Sequence, residues 1–348
     1  MMRPETTGAG AKPERRGSLT GGGFAAPWML GVVTLTLLPM LASAVLSFTR
    51  WDGLTWADIE WVALENYADL LGFEPDSQAS SRDPWYFESL PGRPNDPRFY
   101  QALYNTTVYS FAAVPLGLAA ALMLALLLDV KLRGMAVFRT LYYLPHVLAG
   151  VATVMVWSWL FNPRFGWVNA AIRAVYGALD PILVALGFEG TAAWPVPDWL
   201  YSPAACKPAL VLMHVWTAGG AMLIFLAALQ SVPASLYEAA AIDGAGRWKR
   251  FRAVTLPQIT PAIYFNLILG IVYSLQAFSQ PYLLQNRAQE NGLLFYVLYL
   301  YQCAFQEPHR LGYACALAWT MFAVIMLLTL LTVRSGRWWV HYESEGAL

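Results

Sequence analysis

Charge is what this sequence has least of. Only 13% of its 348 residues are Asp, Glu, Lys or Arg, against about 25% in a soluble domain, while 57% are hydrophobic. Lys and Arg balance Asp and Glu at a net charge of zero, so bulk charge implies no nucleic-acid partner. Cysteine is scarce too. Cys206, Cys303 and Cys315 show no metal spacing. No Gly-rich loop runs into Lys-Ser/Thr, which excludes ATP hydrolysis by a Walker-type phosphate loop. No His/Cys/Asp cluster has ligand spacing, and no Ser stands beside a base. The chain is therefore expected to hold no catalytic residue, no metal and no cofactor of its own.

What fills the sequence instead is six apolar runs, at about 28–48, 103–128, 140–161, 208–229, 262–284 and 311–333. None contains Asp, Glu, Lys or Arg. Each is long enough to cross a hydrocarbon core of ~30 Å at ~1.5 Å per residue. The expected fold is an all-α membrane protein of six transmembrane helices. With the N-terminus inside, inside segments carry 13 Lys/Arg in 85 residues and outside segments 9 in 126. That doubled density is the positive-inside pattern. A seventh apolar stretch, 167–188, carries Arg173, Asp180 and Pro181. It reads as a helix lying at the outer surface, and the short run 293–305 as interfacial or re-entrant. Residues 1–24 read as a disordered basic inside segment with no cleavable signal, and 336–348 as an inside tail. Cys206 and Cys303 both fall outside and are available to pair, though free thiols in apolar surroundings are the expectation. Pro39, Pro115, Pro145 and Pro281 are expected to kink spans, and Gly117-x-x-x-Ala121 and Ala218–Ala221 to allow close helix contact.

Between the fourth and fifth runs lies a polar island, 232–261. Pro233 and Ser235 are expected to start a helix there, with Ser235-x-x-Glu238 as a capping box. Asp243-Gly244 should end it, since Gly adopts a positive φ at little cost. A second short helix, Arg247–Val254, carries Arg247, Lys249, Arg250 and Arg252 on one face and Trp248, Phe251 and Val254 on the other. Leu256-Pro257 closes the unit. A helix–Gly–helix hairpin of this kind is a compact knob, and Ala239, Ala240, Gly244 and Ala245 give it a small-residue face.

The island's pattern, Glu238-Ala239-Ala240, three residues, Gly244, nine residues, then Val254-Thr255-Leu256-Pro257, closely resembles the EAA loop of ABC importer permease subunits. Val254 stands where Ile is usual. Further matches to the carbohydrate-uptake branch are Glu65-Asn66-Tyr67, Asn105-Thr106-Thr107, Phe138-Arg139-Thr140-Leu141, Leu144-Pro145, Gly166-x-x-Asn169 and Gly312-Tyr313-Ala314. One motif departs: Gln285-Asn286-Arg287-Ala288 stands where a Thr-Gly-Gly-Gly-Pro-like turn is common. The resemblance implies a type I ABC importer permease fold over about 25–335, in a bacterial or archaeal cytoplasmic membrane with both termini cytoplasmic. It implies four kinds of partner: a second, homologous permease subunit, an ABC ATPase dimer, an extracytoplasmic solute-binding protein and membrane lipid. ATP is used by the partner ATPase, and the EAA loop, with Glu238 and Gly244 at its characteristic positions, docks in that subunit's cleft.

Charge-free spans argue against a proton relay or ion-coupled carrier, and no inverted repeat is evident. A neutral polar solute fits better, a sugar first and glycerol phosphate esters second. A stand-alone secondary carrier or channel is the rival of another class. On the fourth span, Met213, Trp216, Thr217 and Gly220 fall at i, i+3, i+4 and i+7, one helical face. The fifth offers Gly270, Tyr273, Ser274 and Gln276. Hydroxyls, amides and aromatic faces suit a carbohydrate, and both spans flank the polar island. Outer-loop aromatics such as Trp51, Trp85 and Trp194 read as a docking surface or a headgroup belt.

Overall fold

The computed structural model describes residues 25–74, 93–130, 132–148, 150–186, 190–191, 194–286, 289, 291–306 and 309–341. The 1–24 segment, Trp85 and most of the 336–348 tail lie outside the described residues. Helix dominates: α1 (Ala25–Leu46), then α2 (Glu65–Leu71), α3 (Pro97–Leu128), α4 (Met135–Val147), α5 (Gly150–Leu160), α6 (Trp167–Ala185), α7 (Cys206–Trp216) and α8 (Gly219–Ser231). These are followed by α9 (Ala234–Ile242), α10 (Arg247–Arg250), α11 (Thr260–Leu275), α12 (Ser279–Leu284), α13 (Tyr296–Phe305) and α14 (Leu311–Trp339). Two short antiparallel pairings, Thr49–Arg50 with Glu60–Trp61 and Phe73–Glu74 with Arg93–Pro94, brace the loop between α1 and α3.

Among the described residues, five helices are long and apolar enough to cross a membrane, or up to seven if each of two bent pairs is one span. Six of these seven coincide with the six apolar runs. The seventh is α6, the stretch read from the sequence as a surface helix; by length and composition alone it also passes. The last helix runs to Trp339, past the expected end of its span.

The centre of the bundle is α3. Its buried positions Ala102, Thr106, Tyr109, Ala113, Gly117, Ala121 and Ala125 recur every three or four residues, a stripe of mostly small side chains that lets neighbours approach closely. Helices α7, α8 and α11 pack along it. A Cβ on Gly117 would stand 2.8 Å from His214 Nε2, and one on Gly219 2.4 Å from the Tyr142 carbonyl. The small patches expected from the sequence are thus contact surfaces.

The prolines act where they remove a donor. Pro39 and Pro257 each follow a π-helical turn, Val33–Leu37 and Phe251–Thr255. A proline has no N–H for the carbonyl four residues back, so the ladder shifts: Leu38 N–H reaches Val33 O and Leu256 N–H reaches Phe251 O. Pro145 sits just before the break between α4 and α5, and Pro281 just after the break between α11 and α12. Pro115 lies inside an unbroken α3.

Contacts sort the connecting segments onto two ends of the bundle. At one end Gly312 N–H meets Trp51 O, and Asn66 donates to Ser47 O and Thr49 O at 2.9 Å each. At the other, Leu128, Met135, Leu229, Val232 and Ile259 share one apolar cluster. The first group belongs to the segments expected outside and the second to those expected inside.

Candidate functional site: the 232–261 loop and its helices

Helix α9 ends as its sequence requires. Gly244 has φ +69°, Gly244 N–H bonds Ala241 O at 3.1 Å, and Ala245 N–H bonds Ala240 O at 2.9 Å. This 5→2 and 6→1 pair is a Schellman cap. The start of α9 differs from expectation. Pro233, with extended ψ of 131°, is the boundary residue and no side chain caps it. Ser235 therefore lies inside the first turn, where it cannot form a capping box with Glu238.

Tyr237 and Thr255 hydroxyls meet at 2.9 Å and tie α9 to the turn after α10. Ala245 is buried beneath the hairpin, whereas Glu238, Ala239, Asp243 and Gly244 are exposed. A Cβ on Gly244 would meet nothing within 4 Å. Ile242 and Trp248 project at 88% and 71% exposure, with Trp248 stacked on Phe251. The expected small face is thus Ala239, Ala240 and Gly244, with apolar side chains beside it. Leu256 and Pro257 are half-buried and lead straight into α11. Thr260 Oγ1 accepts from His341 N–H at 3.0 Å, so the end of α14 also reaches this loop.

The two candidate solute faces are arranged differently from the expectation. The fourth span is not one helix. α7 stops at Trp216, and α8 resumes at Gly219 with a bend of 42°. The regular face from Met213 to Gly220 is therefore interrupted. The neighbouring α4 packs against the bend: the Tyr142 backbone fills the space beside Gly219, and the His146 ring lies 2.7 Å from a Cβ built on Gly220. Gly220 is a packing contact. Met213 is buried, and Trp216 stands edge-on to Trp157 at 5.8 Å.

A cavity of about 30 Å³ lies here, lined by Tyr109, Thr153, Met213, His214, Thr217 and Gln280 among others. That is room for a water rather than a sugar. On α11, Gly270 faces Val114, and buried Ser274 donates to Ile271 O at 3.1 Å. Tyr273, 67% exposed, and Gln276 lie on the open side. Of the eight residues expected to form a path, only Met213 and Thr217 share this cavity. Tyr109, Thr153 and Gln280 were missed; each is a polar side chain in a charge-free span or at its end, the signal that would have found them.

At the opposite end, the short motifs are structural pins. Thr106 Oγ1 accepts from Tyr296 N–H, and Asn105 donates to Asn291 O and Leu294 O. Asn169 bonds Pro197 O and Trp199 Nε1, and Asp180 of α6 accepts from Thr191. Trp194 stands edge-on to Tyr176 at 5.3 Å. Asp96 caps α3 by accepting from Phe99 N–H and also accepts from the Tyr299 and Tyr313 hydroxyls. Burial above all, helped by the adjacent Cys303 and Asp96, raises the Tyr299 hydroxyl above its ordinary value, so it stays a donor. The cysteines are free. Among the described residues, no group of His, Cys, Asp and Glu could hold a metal.

Residues 113–340, which contain the whole polar loop and both flanking helices, match the family described as "Binding-protein-dependent transport system inner membrane component". The chain belongs to that family. Among its relatives, a probable ABC transporter permease protein, YesP, of Bacillus subtilis (strain 168) is 33% identical over 334 residues, 95% of this chain and 94% of the relative. The lactose transport system permease protein LacF of Rhizobium radiobacter is 32% identical over 70% of this chain and 78% of its own length. The fold is shared with a solved bacterial ABC transporter involved in alginate import, at TM-score 0.68 and 20% identity, covering 92% of this chain and 96% of that one. This inner membrane component therefore has the architecture of an ABC importer permease.

Proposed function

We propose that the chain is the permease subunit of an ATP-driven importer for a sugar or sugar-like solute, non-catalytic itself and driven through the 232–261 loop. The observation that carries the reading is the Schellman-capped turn at Gly244. It presents an exposed, small-residue knob tied directly to α8 and α11. A partner that grips this knob moves both helices. ABC ATPase subunits supply the grip and ATP closure supplies the force; a second permease completes the path, and an extracytoplasmic binding protein delivers the solute. In this reading Tyr273 and Gln276, on the open side of α11, face the second permease, while Met213, Trp216 and Thr217 face the solute from within this chain. Both termini lie in the cytoplasm. Relatives named for lactose, sulfoquinovosyl glycerol and arabinooligosaccharide transport support a carbohydrate solute. Gly244→Asp and Glu238→Lys should leave membrane insertion intact and abolish ATP-driven uptake; normal uptake in both variants sinks the coupling role.

A further inference from the structure

Four aromatic rings meet where α12 and α13 come together. Tyr282 stacks on Phe278, with centroids 5.3 Å and planes 19° apart. Tyr301 touches both, at 5.3 Å from Phe278 and at 5.5 Å and 77° from Tyr282. Phe305, one turn further along α13, lies 5.3 Å from Tyr301 on its other side. The rings still open outward: Tyr282 is 37% and Phe305 64% exposed. Tyr282 and Phe305 thus flank Tyr301 as two separate open rings.

Polar groups border the cluster. Gln302 donates to Gln285 Oε1 at 3.2 Å and accepts from the Arg98 guanidinium at 3.3 Å. Arg98 is in the first turn of α3, so the rings stand at the end opposite the 232–261 loop. An amide pair and a guanidinium are not stable against hydrocarbon. This side of the bundle therefore meets water or a polar partner.

Large rings on such a surface need a reason. Where helices of this chain pack closely, they do so through small residues: Ala113, Gly117 and Ala121 on α3, and Gly219 on α8. A headgroup belt sets rings at span ends, facing lipid. Here flat rings from two elements are edged by hydroxyls and amides. That combination matches a sugar unit, whose C–H face stacks on a ring while its hydroxyls bond the edges. The location fits as well. Gln280, on the same short helix as Tyr282, lines the small cavity beside Met213 and Thr217.

We propose that Tyr282, Tyr301 and Phe305 form an outer stacking platform for neighbouring units of an oligosaccharide. Two open rings hold two linked units, and the inner face at Met213, Trp216 and Thr217 takes a further one, so the platform selects solutes of three or more units. The inference rests on the carbohydrate-importer reading above.

The test is uptake from a mixed pool of arabino-, malto- and galacto-oligosaccharides of one to four units, read as depletion from the medium by liquid chromatography and mass spectrometry. The cells carry the rest of the importer, with the native chain, Tyr282→Leu, Phe305→Leu or Phe305→Trp. Cells lacking the chain give the background. Leu keeps an apolar side chain but removes the flat ring, and Trp keeps a ring. Expected is native depletion of three- and four-unit sugars, a loss of about tenfold in each Leu variant through a raised KM, and retention in Phe305→Trp. Depletion of two-unit sugars stays within about twofold. Equal loss at every length makes the rings a contact with the second permease and overturns the proposal. No loss at any length makes them a headgroup belt and also overturns it. Native depletion of one- or two-unit sugars alone overturns it while leaving the importer reading standing. Native depletion of none of the pool overturns the carbohydrate reading and this inference with it.

Discussion

Gly244 offers the sharpest separation of conformation from contact. Its φ of +69° lies in the left-handed region, and a Cβ there meets nothing within 4 Å in this chain. A substitution therefore costs backbone strain alone, about 1–2 kcal/mol for an L-residue, least for Asn and most for a β-branched side chain. The strain falls on the two bonds of the cap, Gly244 N–H to Ala241 O and Ala245 N–H to Ala240 O. Local opening should become easier by the same amount, so amide exchange at 244 and 245 should accelerate by about 5- to 30-fold in Gly244→Val and far less in Gly244→Asn. Exchange in α3 should not change. Hydrogen exchange by mass spectrometry on purified protein in nanodiscs reads this directly. Uptake should respond differently: both side chains project from the face a partner must approach, so both should abolish it. Equal exchange in Asn and Val variants refutes the strain argument. Normal uptake in Gly244→Asn refutes the requirement for close approach.

Three further outcomes follow from the contacts. Asp96→Ala removes the α3 cap, about 1 kcal/mol, and leaves the Tyr299 and Tyr313 hydroxyls without their acceptor, about 1–3 kcal/mol each. The detergent-solubilised protein should melt at clearly lower temperature, with Asp96→Asn intermediate; an unchanged melting temperature contradicts this. Trp216→Ala should shift solute affinity or selectivity while basal ATPase activity of the assembled importer survives, and unchanged uptake kinetics would remove Trp216 from the path. Ser274→Ala should move stability by less than about 0.5 kcal/mol, since its hydroxyl bonds only its own helix turn, so a change in uptake selectivity there reports on solute.

Much of the architecture was legible because it depends on local chemistry. Charge-free runs marked the helices, and Asp243-Gly244 specified a helix stop at the residue where the Schellman cap forms. The capping box at Ser235 failed for a local reason as well: Pro233 takes the boundary with extended ψ, and Ser235 falls two positions too deep. Other features depend on partners far along the chain. The fourth span looks continuous from Met213 to Gly220, but the structure bends it by 42° where the Tyr142 backbone and the His146 ring of another helix pack against it. Asp96 caps its own helix, but the Tyr299 and Tyr313 hydroxyls it also accepts from come from about 200 residues away. The π turns were written in the sequence as Pro39 and Pro257, but a missing N–H does not itself say whether the ladder breaks or shifts. The solute face was least legible, because a single face of one helix defines a pocket only when its neighbours stay clear of it.

Affinity purification of the chain from detergent extract, with and without Gly244→Asp, tests coupling through the 232–261 loop most directly. An ATP-hydrolysing subunit should co-purify with the native chain and be lost from the variant, while the second permease remains bound to both. Recovery of the same ATPase from both proteins, or of no ATPase from the native chain, would contradict the account.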